Sequence, residues 1–161
     1  MVNSINVHHS KTLKLENALL LELSKEEDFE QLTKFQILIE RMDLHIKQKG
    51  AQPVGPLIQK TDVKVNDNGG PQMTITFIRQ ANAFIHHVDS PYMMESVLRV
   101  SDCLYTRFVG EEENMKFAYD KLHLVGYEEE IPLSNETYTV FVDSNEEDGT
   151  MTADIFIPKL S

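Results

Sequence analysis

The 161-residue sequence holds one cysteine and no tryptophan, and Ala18 to Leu21 and Ile37 to Ile39 are among its longest apolar runs. A lone Cys103 excludes an internal disulfide, and such runs fall far short of the about 20 apolar residues a membrane-spanning helix needs. The N-terminus lacks the basic-then-apolar order of a signal peptide, so a reducing, cytoplasmic compartment and no membrane are expected. Basic residues are scarce as well: 15 stand against 26 acidic ones, for a formal charge of −11. Residues 1–80 hold ten of each sign and residues 81–161 hold five basic and sixteen acidic, so all the net charge lies in the C-terminal half. Nucleic acid is a poor partner for such a surface, because affinity for phosphate comes largely from Lys and Arg. A cationic ligand or a basic protein fits better. The plainer alternative is that Glu111 to Glu113, Glu128 to Glu130 and Glu146 to Asp148 are solvated helix ends and loops that aid solubility.

The pattern of what is present reads as a single domain over residues 1–161, long enough to bury a core without disulfides or metals. In Ile5 to Leu23, Leu13 and Leu15, then Leu19, Leu21 and Leu23, recur at even spacing, with a break or bulge at Asn17 and Ala18. Ser24 followed by Glu27 is a capping-box signature. After it Phe29, Leu32, Phe35, Ile39, Met42 and Ile46 step by three or four residues, which predicts a helix over Glu26 to Lys49 with Phe35, Ile39 and Met42 buried. Gly50 suits the left-handed position just past its end. Leu57 to Val65 and Gln72 to Arg79 read as a hairpin about Asn66 to Gly70.

The second half follows the same order. A strand at Ser96 to Val109, a break at Gly110 and a helix over Glu111 to Val125 come first. Met115, Ala118, Leu122 and Val125 form the helix stripe, and Gly126 stops it. Tyr138 to Asp143 and Met151 to Pro158 then form a hairpin around Ser144 to Gly149. With a shift of 78 positions Gln72, Met73 and Thr74 fall on Thr150, Met151 and Thr152, Thr76 falls on Asp154, and His8 and His9 fall on His86 and His87. The expected fold is α+β: two tandem βαββ units, about 5–80 and 96–158, forming one curved antiparallel sheet with two helices on one face and a ligand cleft on the other.

The twofold βαββ plan, the Gly50 to Pro56 stretch leading into Leu57 and Ile58, and the terminal strand Asp154 to Pro158 together resemble the gyrase-inhibitor-like small-molecule-binding domain. That domain also serves as the effector-binding part of multidrug-sensing transcription regulators. In the family a glutamate four residues before the final proline faces the pocket and neutralises cationic aromatic ligands. The resemblance puts Asp154 at that position, a carboxylate with one methylene less. With no helix-turn-helix segment preceding the domain, direct action on DNA is not implied.

Strand alternation puts Thr152, Asp154 and Phe156 on one face and Met151, Ala153, Ile155 and Ile157 on the other. The second, more apolar set should meet the helices, which leaves Asp154 toward the cleft, flanked by Phe156 and by Tyr105, Phe108 or Tyr138. A carboxylate among aromatic faces suits a lipophilic cation. The alternative is an aspartate satisfied by a neighbouring hydroxyl or by Arg107. No cofactor and no metal are expected, since adjacent histidines on a strand point to opposite faces and nothing completes a tetrahedral set around His8, His9, His86 or His87. Cys103 with a histidine lacks an orienting third group, and Met93 and Met94 beside Tyr92 suit soft packing.

Three readings of function remain open. The first is a stand-alone module that binds or senses a small lipophilic molecule, a cation foremost. The second is a protein-interaction module whose acidic C-terminal half docks a basic partner, as the gyrase inhibitors of the family imply. The third, a small-molecule hydrolase, needs a group of tuned pKa beside a bound water, which the sequence does not display.

Overall fold

The computed structural model describes residues 5–24, 35–65 and 67–160. In chain order it contains β1 (Val7–Leu23), α1 (Phe35–Gln48), β2 (Pro53–Val65), β3 (Pro71–Ala81) and β4 (Tyr92–Glu111). A short 3-10 turn (Glu112–Asn114), α2 (Met115–Glu128), β5 (Glu136–Asn145) and β6 (Thr150–Pro158) follow. The chain folds as two compact units, Lys14–Leu98 and the described residues up to Leu13 together with those from Arg99 on. No described helix is long and apolar enough to cross a membrane.

In the Lys14–Leu98 unit, β3 lies between β1 and β2, antiparallel to both, with Leu19 opposite Arg79, Leu21 opposite Phe77 and Gln59 opposite Phe77. The even spacing of Leu19, Leu21 and Leu23 turns these side chains to one face, where they pack with Ile75, Phe77 and with Leu38, Met42 and Ile46 of α1. Burying that stripe is what holds the helix, because a helix of this length is marginal on its own.

The buried face of α1 differs from the expected one. Phe35 is 49% exposed and Ile39 is only half-buried, whereas Leu38, Met42, His45 and Ile46 are covered. The inward stripe includes the polar His45, whose Nε2 accepts the Asp89 amide at 3.4 Å and whose ring lies 4.6 Å from that of Tyr92. An apolar stripe read through Phe35 and Ile39 is therefore rotated by about one position. The expected helix residues 26–34, with Phe29, Leu32 and the capping-box residue Glu27, lie outside the described residues, as does Asn66 of the first turn.

In the other unit, β6 lies between β4 and β5, so the third strand is again central. Leu104, Phe108, Ile155 and Ile157 pack on Ala118, Leu122 and Val125 of α2. Gly110 does not break β4. It pairs with Met151 and the strand runs on to Glu111, while a Cβ there would lie 3.1 Å from Cζ of Phe108, so the missing side chain makes room for that ring. Nor does Gly126 stop α2. It is buried inside the helix, where a Cβ would lie 2.7 Å from Cδ1 of Leu133.

Both helices end in the same closed turn. Gly50 has φ 87°, donating to Lys47 while Ala51 donates to Ile46, and Glu130 has φ 55°, donating to Tyr127 while Ile131 donates to Gly126. Asn17 also has a positive φ of 51°, at the break expected in β1. His86 and His87, which align with His8 and His9 at a shift of 78, stand in the loop before β4 rather than on a strand.

Candidate functional site

The site follows from the alternation of β4, β5 and β6. Directly paired residues of antiparallel strands share a face, so Tyr105, Phe156 and Tyr138 form one row and Arg107, Asp154 and Val140 the next. Both rows lie opposite the face that Leu104, Ile155 and Ile157 turn to α2.

Asp154 sits at the centre with its side chain 15% exposed. Its Oδ1 accepts the Tyr105 hydroxyl at 2.7 Å and the Arg107 Nε at 2.8 Å, and its Oδ2 accepts Arg107 Nη2 at 3.0 Å. That is a two-pronged guanidinium-carboxylate fork, the geometry in which an ion pair is strongest. Burial pushes the Asp154 carboxyl up, but the hydrogen bonds from Arg107 and Tyr105 outweigh it and hold the carboxyl below its ordinary value. Burial and the adjacent carboxylate together push the Tyr105 hydroxyl up to about 12. The Arg107 guanidinium is held still more firmly protonated, first by its hydrogen bond to Asp154.

Aromatic groups flank this cluster. The rings of Tyr105 and Phe156 have centroids 4.8 Å apart at 46°, and His8 lies 5.5 Å from Tyr105. The Lys11 ammonium stands 5.6 Å from the Tyr105 centroid. Phe156, Tyr138 and Val140 are buried, while Arg107, His8 and Lys11 are exposed, so the cluster has an apolar floor and a cationic rim.

Of the residues expected at the site, the structure brings Asp154, Tyr105, Phe156 and Tyr138 onto one face and parts Phe108 from them. Phe108 has the parity of Leu104, is 2% exposed and belongs to the α2 core. The alternation already placed it there, because Tyr105 and Phe108 are three residues apart on one strand and must face opposite ways. The alternative reading of Asp154, an aspartate satisfied by a neighbouring hydroxyl or by Arg107, describes the bonds the structure shows, with Tyr105 giving the hydroxyl and Arg107 the guanidinium. Lys11 was missed, since nothing local in β1 links it to Tyr105.

The remaining groups considered for chemistry stand apart. Cys103 is buried and its thiol is pushed up to about 11, first by burial, which leaves it protonated at neutral pH. His9 pairs with Glu129 at 2.9 Å, on the exposed surface. Among the described residues no three His, Cys, Asp or Glu side chains gather as metal ligands would.

No protein-family model and no curated protein matches the sequence. Solved structures do match. The crystal structure of the EcmrR C-terminal domain superposes with a TM-score of 0.69 at 12% identity, over 98% of this chain and 98% of that one. EcmrR in its complex with DNA gives 0.63 at 12% identity, and the match covers 95% of this chain but 57% of that chain, little more than half its length. SAV2435 bound to tetraphenylphosphonium gives 0.54 at 10% identity, over 96% and 95% of the two chains. At such identities the likeness establishes the fold: an α+β domain of antiparallel strands and two helices, the fold of the gyrase-inhibitor-like small-molecule-binding domain.

Proposed function

We propose that this chain is a small-molecule-binding module that takes a lipophilic ligand on the Tyr105, Asp154 and Phe156 face. The observation that carries the reading is the placing of a nearly buried, fully hydrogen-bonded carboxylate beside two tilted aromatic rings and away from the helix-packed core. Packing alone does not call for charge there. The fold adds weight, because SAV2435, which shares it, is bound to tetraphenylphosphonium. Calorimetric titration with tetraphenylphosphonium, tetraphenylborate and a neutral aromatic of like size tests the reading. Heat from at least one of them that is lost in Tyr105→Ala and Phe156→Ala supports it, and no heat from any overturns it. The chain acts in the cytoplasm under this proposal and unfolds as one domain, with far- and near-ultraviolet signals lost in a single transition; two separated transitions would divide it.

A second reading, docking of a basic protein, is favoured by one triplet of glutamates. Glu111 to Glu113 open the 3-10 turn and α2, where negative charge is stabilising, but Glu128 to Glu130 stand exposed at the C-terminal end of α2, against the helix dipole. Charge kept where it costs stability suits a partner. Retention of the chain on a polylysine surface, abolished in a Glu128→Gln, Glu130→Gln double variant at constant salt, supports docking; equal retention removes it.

A further inference from the structure

We infer that the Asp154 site selects an amphipathic organic anion over a lipophilic cation, with Arg107 as the specificity-determining residue and Lys11 as its second positive charge. The inference rests on the small-molecule reading above and gives its ligand a charge.

Asp154 has little left to offer a cation. Its two oxygens already receive three hydrogen bonds, two from Arg107 and one from Tyr105. A quaternary cation carries no N–H donor, so one that displaced the guanidinium would leave the two Arg107 bonds unmade. One that did not displace it would sit beside a carboxylate whose charge is already matched.

An anion finds the opposite situation. Arg107 spends Nε and Nη2 on Asp154, and its Nη1 makes no hydrogen bond among the described residues, in a side chain that is 53% exposed. The Lys11 ammonium, over the Tyr105 ring, makes no ion pair among the described residues. Two cations thus face one carboxylate. Glu136 lies on the same face but four residues along β5 from Val140, the partner of Asp154, which is about 14 Å at about 3.4 Å per residue and beyond the screening distance. The chain as a whole carries −11, but exposed charges farther than about 8 Å are largely screened at physiological salt, so the local excess decides.

The chemistry that fits is therefore an aromatic body against Tyr105 and Phe156 joined to a carboxylate, sulfonate or similar group that reaches Arg107 and Lys11. Arg107 holds it by its free guanidinium edge while Asp154 and Tyr105 fix the guanidinium plane.

Tetraphenylborate and tetraphenylphosphonium have the same shape and opposite charge, and their titration into the full chain by calorimetry reads the selection directly. The wild type is expected to bind the borate at least about tenfold more tightly than the phosphonium. Arg107→Met should weaken the borate by about tenfold and tighten the phosphonium by a similar factor, since Asp154 then loses the guanidinium that matches its charge and keeps only the more distant Lys11. Lys11→Met, an exposed change that touches none of the Asp154 hydrogen bonds, should move both ions in the same directions as Arg107→Met but by less, since Lys11 acts on the site through charge alone. Phosphonium bound as tightly as borate by the wild type, or a borate-to-phosphonium ratio unmoved in both variants, overturns the inference while leaving the small-molecule reading standing. If neither ion binds any of the proteins, this selection falls, while the small-molecule reading falls only if the neutral aromatic of like size gives no heat either.

Discussion

The two units share a strand order and differ in what they place on the face away from the helix. In the Lys14–Leu98 unit the central row is Leu20, Ile78 and Ile58, and the next is Glu22, Thr76 and Lys60. At the same positions the other unit has Tyr105, Phe156 and Tyr138, then Arg107, Asp154 and Val140. Aliphatic side chains give way to aromatic ones, and a threonine to an aspartate in a guanidinium fork. Each unit also has an arginine-aspartate pair, and these differ in place. Arg79 bonds Asp43 of α1 at 2.7 Å and the Gly55 carbonyl, on the helix side, with the arginine 14% exposed. Arg107 bonds Asp154 on the opposite face and is 53% exposed. The first pair ties a helix to a sheet, whereas the second presents a cation beside aromatic rings. Topology supplies two equivalent faces, and side-chain chemistry makes one of them the site proposed above.

The largest effects should be equal in the two units, because both depend on one helix stripe. Met42→Ala and Leu122→Ala, each at a fully buried position, should each destabilise by about 2 to 5 kcal/mol in urea denaturation. A loss confined to one of them would mean that one helix is not needed for the fold. The arginine pairs should then separate the units. Arg79→Met strands Asp43 and the Gly55 carbonyl at a part-buried position and should cost about 2 to 3 kcal/mol. Arg107→Met removes an arginine that is 53% exposed and strands no carbonyl, and leaves Asp154 the Tyr105 hydroxyl and the nearby Lys11 charge, so it should cost less, about 1 kcal/mol. Equal costs would erase the distinction between tie and site.

The helix ends allow a sharper test. The same turn is closed by Gly50 in one unit and by Glu130 in the other, and a left-handed conformation costs a non-glycine residue about 1 kcal/mol. Glu130→Gly should raise stability by about that amount and Gly50→Ala should lower it, both read as shifts in denaturation midpoint.

The smallest effects are protonic. Tyr105 should titrate near pH 12 in ultraviolet absorbance, and Asp154→Asn should bring it down, though not fully, since burial is the larger cause. The folded-state Asp154 carboxyl is lowered from 3.8, so its contribution to stability is present above that value and lost as the pH falls through the folded-state value. Asp154→Asn should flatten that acid limb; an unchanged limb would show that the carboxyl gains nothing from its partners.

How far these features can be read in the sequence depends on how local they are. The leucine alternation of β1, both hairpins, the stop at Gly50 and the face of Asp154 need only neighbouring residues, and they were legible. The buried stripe of α1 was not, because His45 occupies it and an apolar pattern steers toward Phe35 instead. Gly110 and Gly126 look like breaks in sequence but serve close contacts with Phe108 and Leu133, which only the folded chain reveals. Within the site, Tyr105 and Arg107 share a parity on β4, so their common face was readable, yet their meeting with Asp154 depends on the register between β4 and β6. Lys11 depends on β1 coming near Tyr105, a contact between residues 94 positions apart in the chain.

The claim that only one of the two faces is a site can be tested by amide chemical shifts during titration with tetraphenylborate. Shifts should concentrate on Tyr105, Arg107, Asp154 and Phe156, with Lys11 responding and Leu20, Ile58 and Ile78 unmoved. Shifts centred on Leu20, Ile58 and Ile78, or none at Arg107 and Asp154 while the ion binds, would contradict it.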